Sequence, residues 1–220
     1  MNKLQPKSLK KDLILLVGLP YSGKTSIHRI VFGNKTPGQT LNFRPTPHIQ
    51  KIRLDGINQG IEVWDIPGIL LMEMDQLQMM EIVKQTIVVI FVFNCQTQSF
   101  SEQMSYMSQF VEFARVTNAK IQFEFLLHKW NGENVTERMI AMKNEVEETG
   151  KKLLENKGLD VQFVLNTTSI YDDSLFLFFS NLMMRLYSKS FAFNEYLKEY
   201  NQVCFLFIIL LYYIMILLCI

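Results

Sequence analysis

The sequence predicts an α/β fold: an open, mostly parallel six-stranded sheet with helices on both faces, followed by an apolar C-terminal helix. Three observations lead there. Short apolar runs alternate with stretches of helical period through residue 188, the order that builds a parallel sheet with crossover helices. The first of these runs ends in a glycine-bounded loop that opens a helix. A chain of 220 residues also has the length to bury a sizeable core in one domain with a short extension.

Residues 1–11 form a basic arm, with Lys3, Lys7, Lys10 and Lys11 ahead of Asp12. A solvated arm is the reading, and a weak membrane-surface contact is the alternative. The domain occupies 12–188. "LILLV" (13–17) is a continuous apolar run, as a strand buried on both faces requires. A helix follows over about 22–32. "IQKIRL" (49–54) and "IEVWDI" (61–66) flank the turn-rich "DGINQG" and read as an antiparallel hairpin. "TIVVIFVF" (86–93), "IQFEFLL" (121–127) and "VQFVLN" (161–166) are the remaining strands. Helical patterns fill 70–84, 101–117, 134–156 and 174–188 between and after them.

A linker spans 189–202, and residues 203–220 read "VCFLFIILLYYIMILLCI", without a charge. As a helix this segment would span roughly 27 Å, close to the hydrocarbon thickness of a bilayer. A membrane anchor is one reading; a truncated or mistranslated reading frame is the other. With 22 basic and 21 acidic side chains, nothing in the overall charge points to nucleic acid. The three cysteines, Cys95, Cys204 and Cys219, have no metal-ligand spacing and make no disulfide framework, which fits a reducing compartment. No cleavable signal is visible at the N-terminus.

The chemistry begins at "GLPYSGKT" (18–25), which fits G-x-x-x-x-G-K-[ST] between a strand and a helix, the context that motif needs. Gly18 and Gly23 let the backbone curl so that its N–H groups point at a polyphosphate. Lys24 supplies a cation for the terminal phosphates, and the Thr25 hydroxyl can ligate Mg²⁺. Ser22 and Ser26 complete the phosphate set. His28, four residues past Lys24, reads as a surface helix residue rather than a ligand. Asp65, in "WDIPG", is placed to hold Mg²⁺ at a strand end, and the Gly68 N–H to sense a γ-phosphate. In the loop 36–48, Thr46 is suited to cap the ion, with Thr36 and Thr40 as competing threonines. Two loops that a triphosphate would order make a molecular switch. Lys24, Thr46 and Gly68 are therefore the candidate catalytic residues, and Thr25, Thr46 and Asp65 the candidate metal set.

At these residues the sequence resembles the Rag GTPases, called Gtr proteins in fungi, and among them the C/D-like subgroup. The resemblance rests on "GLPYSGKTSIHRIVF", on Thr40-Leu41, Thr46 and Ile49, on "WDIPG", on "HKWNG" (128–132) and on "TTSIYDDSLFLFFS" (167–180), and covers about 12–188. It implies a Ras-like P-loop NTPase fold that binds GTP or GDP with Mg²⁺. It also implies pairing with an A/B-like Rag protein and amino-acid signalling to the TOR complex through scaffold proteins at the lysosomal or vacuolar surface. Carried over by position, His128, Lys129 and Asn131 face the base, and Ser169 with Ile170 lines its carbonyl edge.

Three departures set further expectations. The family's base motif is H-K-x-D, and here its last position is Asn131. An amide must turn a donor toward one of guanine's two N–H groups, at a cost of about 1–3 kcal/mol. Guanine binding should be weakened, with relaxation toward xanthine. Ile69 follows Gly68 where the family has a water-orienting glutamine, so hydrolysis should be slow or absent unless Glu73 or Gln76 substitutes. Arg44 is the nearest candidate for a cis arginine. Methionines 72, 74, 79 and 80 crowd the same segment and read as core packing first, as an adaptable partner surface second. The resemblance implies a C-terminal roadblock-type dimerisation domain after the G domain; the expectation here is that the apolar tail stands in its place, which weakens pairing in the family's manner. Ile69 and Asn131 favour the second functional reading, a catalytically inactive nucleotide-binding scaffold tethered to a membrane. A small-metabolite kinase is disfavoured by the lack of an Arg-rich lid.

Overall fold

The computed structural model describes residues 12–41, 46–54, 60–68, 74–97, 100–130 and 135–188. The arm 1–11, the linker 189–202 and the apolar segment 203–220 lie outside the described residues, as do Arg44, Ile69, Met72, Glu73 and Asn131. Among the described residues no helix is long and apolar enough to cross a membrane. The chain divides into two compact units, Met1–Phe176 and Leu177–Ile220.

Six strands form one sheet: β1 (Asp12–Val17), β2 (Gln50–Leu54), β3 (Ile61–Asp65), β4 (Thr86–Asn94), β5 (Gln122–His128) and β6 (Leu165–Thr168). Their order is β2-β3-β1-β4-β5-β6, with β2 antiparallel to β3 and every other pair parallel. The order reverses at β1, whose neighbours β3 and β4 each follow a crossover. In such sheets the crevice beyond the carboxyl end of the strand at the switch point is where ligands bind.

The helices are α1 (Lys24–Ile27), continued by a π-turn over His28–Phe32, α2 (Gln76–Gln85), α3 (Ser101–Thr117), α4 (Glu137–Asn156) and α5 (Ser174–Ser188). The predicted six-stranded sheet with helices on both faces is present. One face buries Leu13, Leu15 and Val17 of β1 with Val89, Phe91 and Phe93 of β4 and Phe125 of β5, against Met79, Val83, Met107, Val111 and Val146 of α2, α3 and α4. The other face buries Ile14, Leu16, Val63, Ile90 and Val92, and on that side Ile27 and Ile30 of the first helix are buried as well. Of the crowded methionines, Met79 is in the core and Met74 packs against it, as their first reading expects.

The sixth strand differs from the expectation. Residues 161–164 of "VQFVLN" join no strand among the described residues, and β6 starts only at Leu165, opposite Phe125. The alternation that suggested a strand instead buries Phe163, whose ring packs on Phe125 at 4.3 Å and Phe93 at 6.0 Å between centroids. Gly150 of α4 makes room for it: a Cβ there would sit 2.5 Å from the Phe163 ring. Gly150→Val is therefore expected to overpack this contact and lower stability by about 1–3 kcal/mol, read as a lower urea midpoint at unchanged slope. Helix α4 starts at Glu137, where the Thr136 hydroxyl accepts the Met139 N–H.

His28 is the second correction. It is fully buried, its Nε2–H donating to the Val63 carbonyl of β3 at 3.1 Å. A polar residue read as solvated has found a backbone acceptor on the sheet.

Candidate functional site

The loop after β1 is shaped by two glycines that no other residue could replace cheaply. Gly18 has φ +146°, and a Cβ on it would meet the Val92 carbonyl at 2.5 Å. Gly23 has φ +102°, and its Cβ would fall 2.4 Å from Cδ2 of His128. Between them Tyr21 also takes a left-handed conformation and points to solvent. Lys24 is buried, and its ammonium donates to the Gly18 carbonyl at 2.8 Å, the Leu19 carbonyl at 2.9 Å and Ser22 Oγ at 3.4 Å. Burial pulls its pKa down to about 8, and the nearby Asp65 charge opposes that shift.

Three chain segments meet beside Lys24. Thr25 Oγ1 donates to Asp65 Oδ2 at 2.6 Å and lies 2.5 Å from Thr46 Oγ1. This contact separates the three threonines of the 36–48 loop. Thr36 caps the 3₁₀ turn Pro37–Thr40 in a reciprocal box with Gln39, and Thr40 bonds back to the Pro37 carbonyl. Only Thr46 reaches the site. Asp65 is fully buried, and its second oxygen, Oδ1, has no hydrogen-bond partner among the described residues. A buried carboxylate with an orphaned oxygen, beside two hydroxyls, is a set of hard oxygen donors, which fits Mg²⁺ with a few protein ligands. Gly68 lies against the loop itself, since a Cβ there would be 2.5 Å from the Pro20 nitrogen. Ser26, one residue along from Thr25, makes no hydrogen bond to this cluster among the described residues. Gln76 is exposed at the start of α2.

The second half of the site is at the ends of β4, β5 and β6. His128 pairs in register with Thr168, and His128 Nδ1 is 3.0 Å from Thr168 Oγ1. Its ring also abuts Gly23 of the phosphate loop, so the two halves touch. Burial, and then the neighbouring Lys129 charge, lower the His128 pKa to about 4, so the ring is neutral near pH 7. Lys129 follows in a left-handed conformation, φ +64°, held by Cys95, whose thiol donates to the Lys129 carbonyl at 3.0 Å. The Cys95 N–H donates to the His128 carbonyl, and the Trp130 N–H to that of Thr168, each at 3.0 Å. Past β6, the Ser169 N–H is taken by Ser174 Oγ and the Tyr171 N–H by Ser169 Oγ. The half-buried Ile170 lies between them.

Gly18, Ser22, Gly23, Lys24, Thr25, Thr46, Asp65 and Gly68 thus gather around one loop, with His128, Lys129, Ser169 and Ile170 on adjoining strand ends. Sequence reasoning missed His28 and the His128–Gly23 contact. For His28 a signal existed, since 24, 27 and 28 share one helical stripe that also carries the apolar Ile27. A family model described as the Gtr1/RagA G protein conserved region matches residues 13–220. The chain belongs to the Gtr1/RagA family. The resemblance drawn from its motifs is borne out, and the family match continues beyond residue 188. Similar Gtr1/RagA relatives include "Ras-related GTP-binding protein D" of Mus musculus, 31% identical over 180 residues that cover 80% of this chain and 39% of that protein. "GTP-binding protein GTR2" of Saccharomyces cerevisiae is 28% identical, covering 80% of this chain and 51% of that protein. "GTP-binding protein gtr1" of Schizosaccharomyces pombe is 25% identical, with 86% and 61% covered. The chain therefore spans less than two thirds of the length of each of these relatives.

Proposed function

We propose that this chain is a guanine-nucleotide-binding molecular switch of the Rag/Gtr type, with slow or absent GTP hydrolysis. One observation carries the reading: Thr46, from the loop 36–48, meets Thr25 of the phosphate loop and Asp65 of β3 at one point. A loop tied to the metal-side groups is what a switch governed by a terminal phosphate and its cation needs. In this reading Gly18, Ser22, Gly23, Lys24, Thr25 and Ser26 cradle the phosphates of GTP or GDP. Thr25, Thr46 and Asp65 hold Mg²⁺, which when bound neutralises phosphate charge. Lys129 covers the base, the Ile170 N–H meets its carbonyl edge, and Asn131 takes the place of the usual carboxylate. Lys24 stabilises charge on the γ-phosphate, and Thr46 and Gly68 sense it.

The names of the relatives support guanine nucleotide as the ligand, and relatives of both the D/GTR2 and the gtr1 kind support pairing with an A/B-like Rag protein. Signalling to the TOR complex, lysosomal scaffold partners, a cytoplasmic location at the lysosomal or vacuolar surface and an anchoring role for 203–220 belong to the same proposal. A second reading, a nucleotide-binding scaffold without turnover, is favoured by Ile69, whose side chain cannot orient water.

Calorimetry with GTP, GDP and XTP, with and without Mg²⁺, tests the binding claim; no heat with any of them on folded protein ends it. Lys24→Ala is expected to weaken triphosphate binding about 10- to 100-fold, the worth of charge-assisted hydrogen bonds. Single-turnover γ-phosphate release separates the switch with turnover from the inert scaffold. The lysine also sets a pH dependence. In the free protein its pKa is about 8, and phosphate oxygens beside it would raise that value, so binding takes up a proton above pH 8. Triphosphate affinity should then fall as pH rises past 8, by up to about tenfold per unit. Lys24→Ala should flatten that slope.

A further inference from the structure

His28 lies outside the phosphate-loop consensus of residues 18–25, and its side chain's one hydrogen bond among the described residues goes to Val63 rather than to a group assigned to the nucleotide, yet it is 1% exposed. It sits one turn beyond Thr25, where α1 passes into the π-turn His28–Phe32. Single π-turns within helices re-aim side chains and recur at functional sites. Here the Gly33 N–H and the Lys35 N–H both donate to the Arg29 carbonyl at 3.0 Å as the turn closes. The imidazole is edge-on to Phe32, with centroids 6.4 Å apart, and its Nε2–H donates to the Val63 carbonyl at 3.1 Å. Because a carbonyl only accepts, Nε2 carries the proton of the neutral ring, in line with the lowered pKa that burial imposes.

Val63 and Asp65 lie two apart on β3 and face the same side, as Thr25 and His28 lie three apart on one helix. Thr25 to Asp65 and His28 to Val63 are therefore two successive ties between the same helix and the same strand. The first joins two of the oxygens assigned to the cation. The second fixes how far apart and at what angle the helix and strand carrying them are held. Asp65 is in no position to be steadied from its other side, since Oδ1 has no partner among the described residues.

We propose that His28 is a positioning residue for the cation site: by holding Val63, it sets the separation of Thr25 and Asp65 that Mg²⁺ requires. This rests on the nucleotide and Mg²⁺ reading above. Without the tie, the strand end relaxes, the oxygens spread, and the cation contributes less to retaining the nucleotide. The phosphate loop itself, built from Gly18 to Lys24, is untouched.

The test is release of a fluorescent guanine nucleotide from the full chain, in Mg²⁺ and in excess EDTA, with the Mg²⁺ concentration for half-maximal retention as a second reading. His28→Leu should speed release in Mg²⁺ about 5- to 10-fold, the worth of one buried hydrogen bond, and leave the EDTA rate as in the wild type. It should raise the half-maximal Mg²⁺ concentration similarly. His28→Gln, able to reach the Val63 carbonyl, should restore most of both. Equal acceleration in both conditions, or none in either, overturns the proposal, because a merely structural residue would not discriminate between them. If His28→Leu does not fold, His28→Asn, too short to reach Val63, is compared with His28→Gln, and equal behaviour of the two overturns it. A wild-type chain that retains no nucleotide in Mg²⁺ sinks the functional reading before any substitution is made.

Discussion

Gly23→Ala is expected to reduce nucleotide affinity by roughly 30-fold or more and to lower the stability of the free protein at the same time. Two costs act together. At φ +102° an L-residue is strained, and its Cβ would lie 2.4 Å from Cδ2 of a buried histidine. Backbone strain and overpacking together come to about 2–6 kcal/mol, and the loop must give way because His128 cannot. The ring is held on its far side by Thr168 Oγ1 at 3.0 Å and is boxed in by the strand end that carries it. Moving it shifts Lys129 as well, so the phosphate and base halves of the site are disturbed by one methyl group. The double variant Gly23→Ala/His128→Ala separates the costs. Removing the ring should recover the packing part and leave the backbone part, a coupling that calorimetry and chemical denaturation both read. Affinity within twofold of wild type for Gly23→Ala would show that the loop does not hold the nucleotide in this conformation.

The contact between Gly23 and His128 also shows where sequence reasoning stops. The strand "LILLV", the two loop glycines and the Lys24-Thr25 pair were legible because each is fixed by a local requirement: burial on both faces, a left-handed turn, a helix start. The hairpin of β2 and β3 was legible for the same reason. What failed was non-local. "VQFVLN" alternates like a strand, yet Phe163 goes into a gap that Gly150 leaves on a helix earlier in the chain. Nothing within the hexapeptide records that gap. Thr46 is singled out over Thr36 and Thr40 by only a weak local signal, and the contact that sets it apart, with Thr25, is made across the fold. His28 was misplaced because its side chain is polar, whereas its Nε2–H finds a carbonyl of a strand more than 30 residues on, and Nδ1 has no partner among the described residues. The residues whose identity departs from the family, Ile69 and Asn131, were legible as sequence alone, and lie outside the described residues.

Asp65→Asn should move function and stability in opposite directions. The carboxylate is fully buried, accepts one hydrogen bond from Thr25, and leaves Oδ1 without a partner among the described residues. Burying an acceptor unsatisfied costs about 1–3 kcal/mol, and more when the group is charged. An amide keeps the acceptor for Thr25 and removes the charge, so the nucleotide-free variant should melt at or above the wild-type temperature. Its response to Mg²⁺ should collapse. A neutral amide oxygen is a poor substitute for a carboxylate toward a hard dication, and nucleotide release in Mg²⁺ should approach the rate seen in EDTA. Lys24 provides an independent check, because the Asp65 charge is what holds its pKa up against burial. With that charge gone the lysine pKa drops further, and the pH at which triphosphate affinity begins to fall should move down from about 8. Ordinary loss of a structural residue would lower the melting temperature and leave that pH where it was. The stability gained on neutralisation is the stability a site gives up to keep a charge ready for a cation.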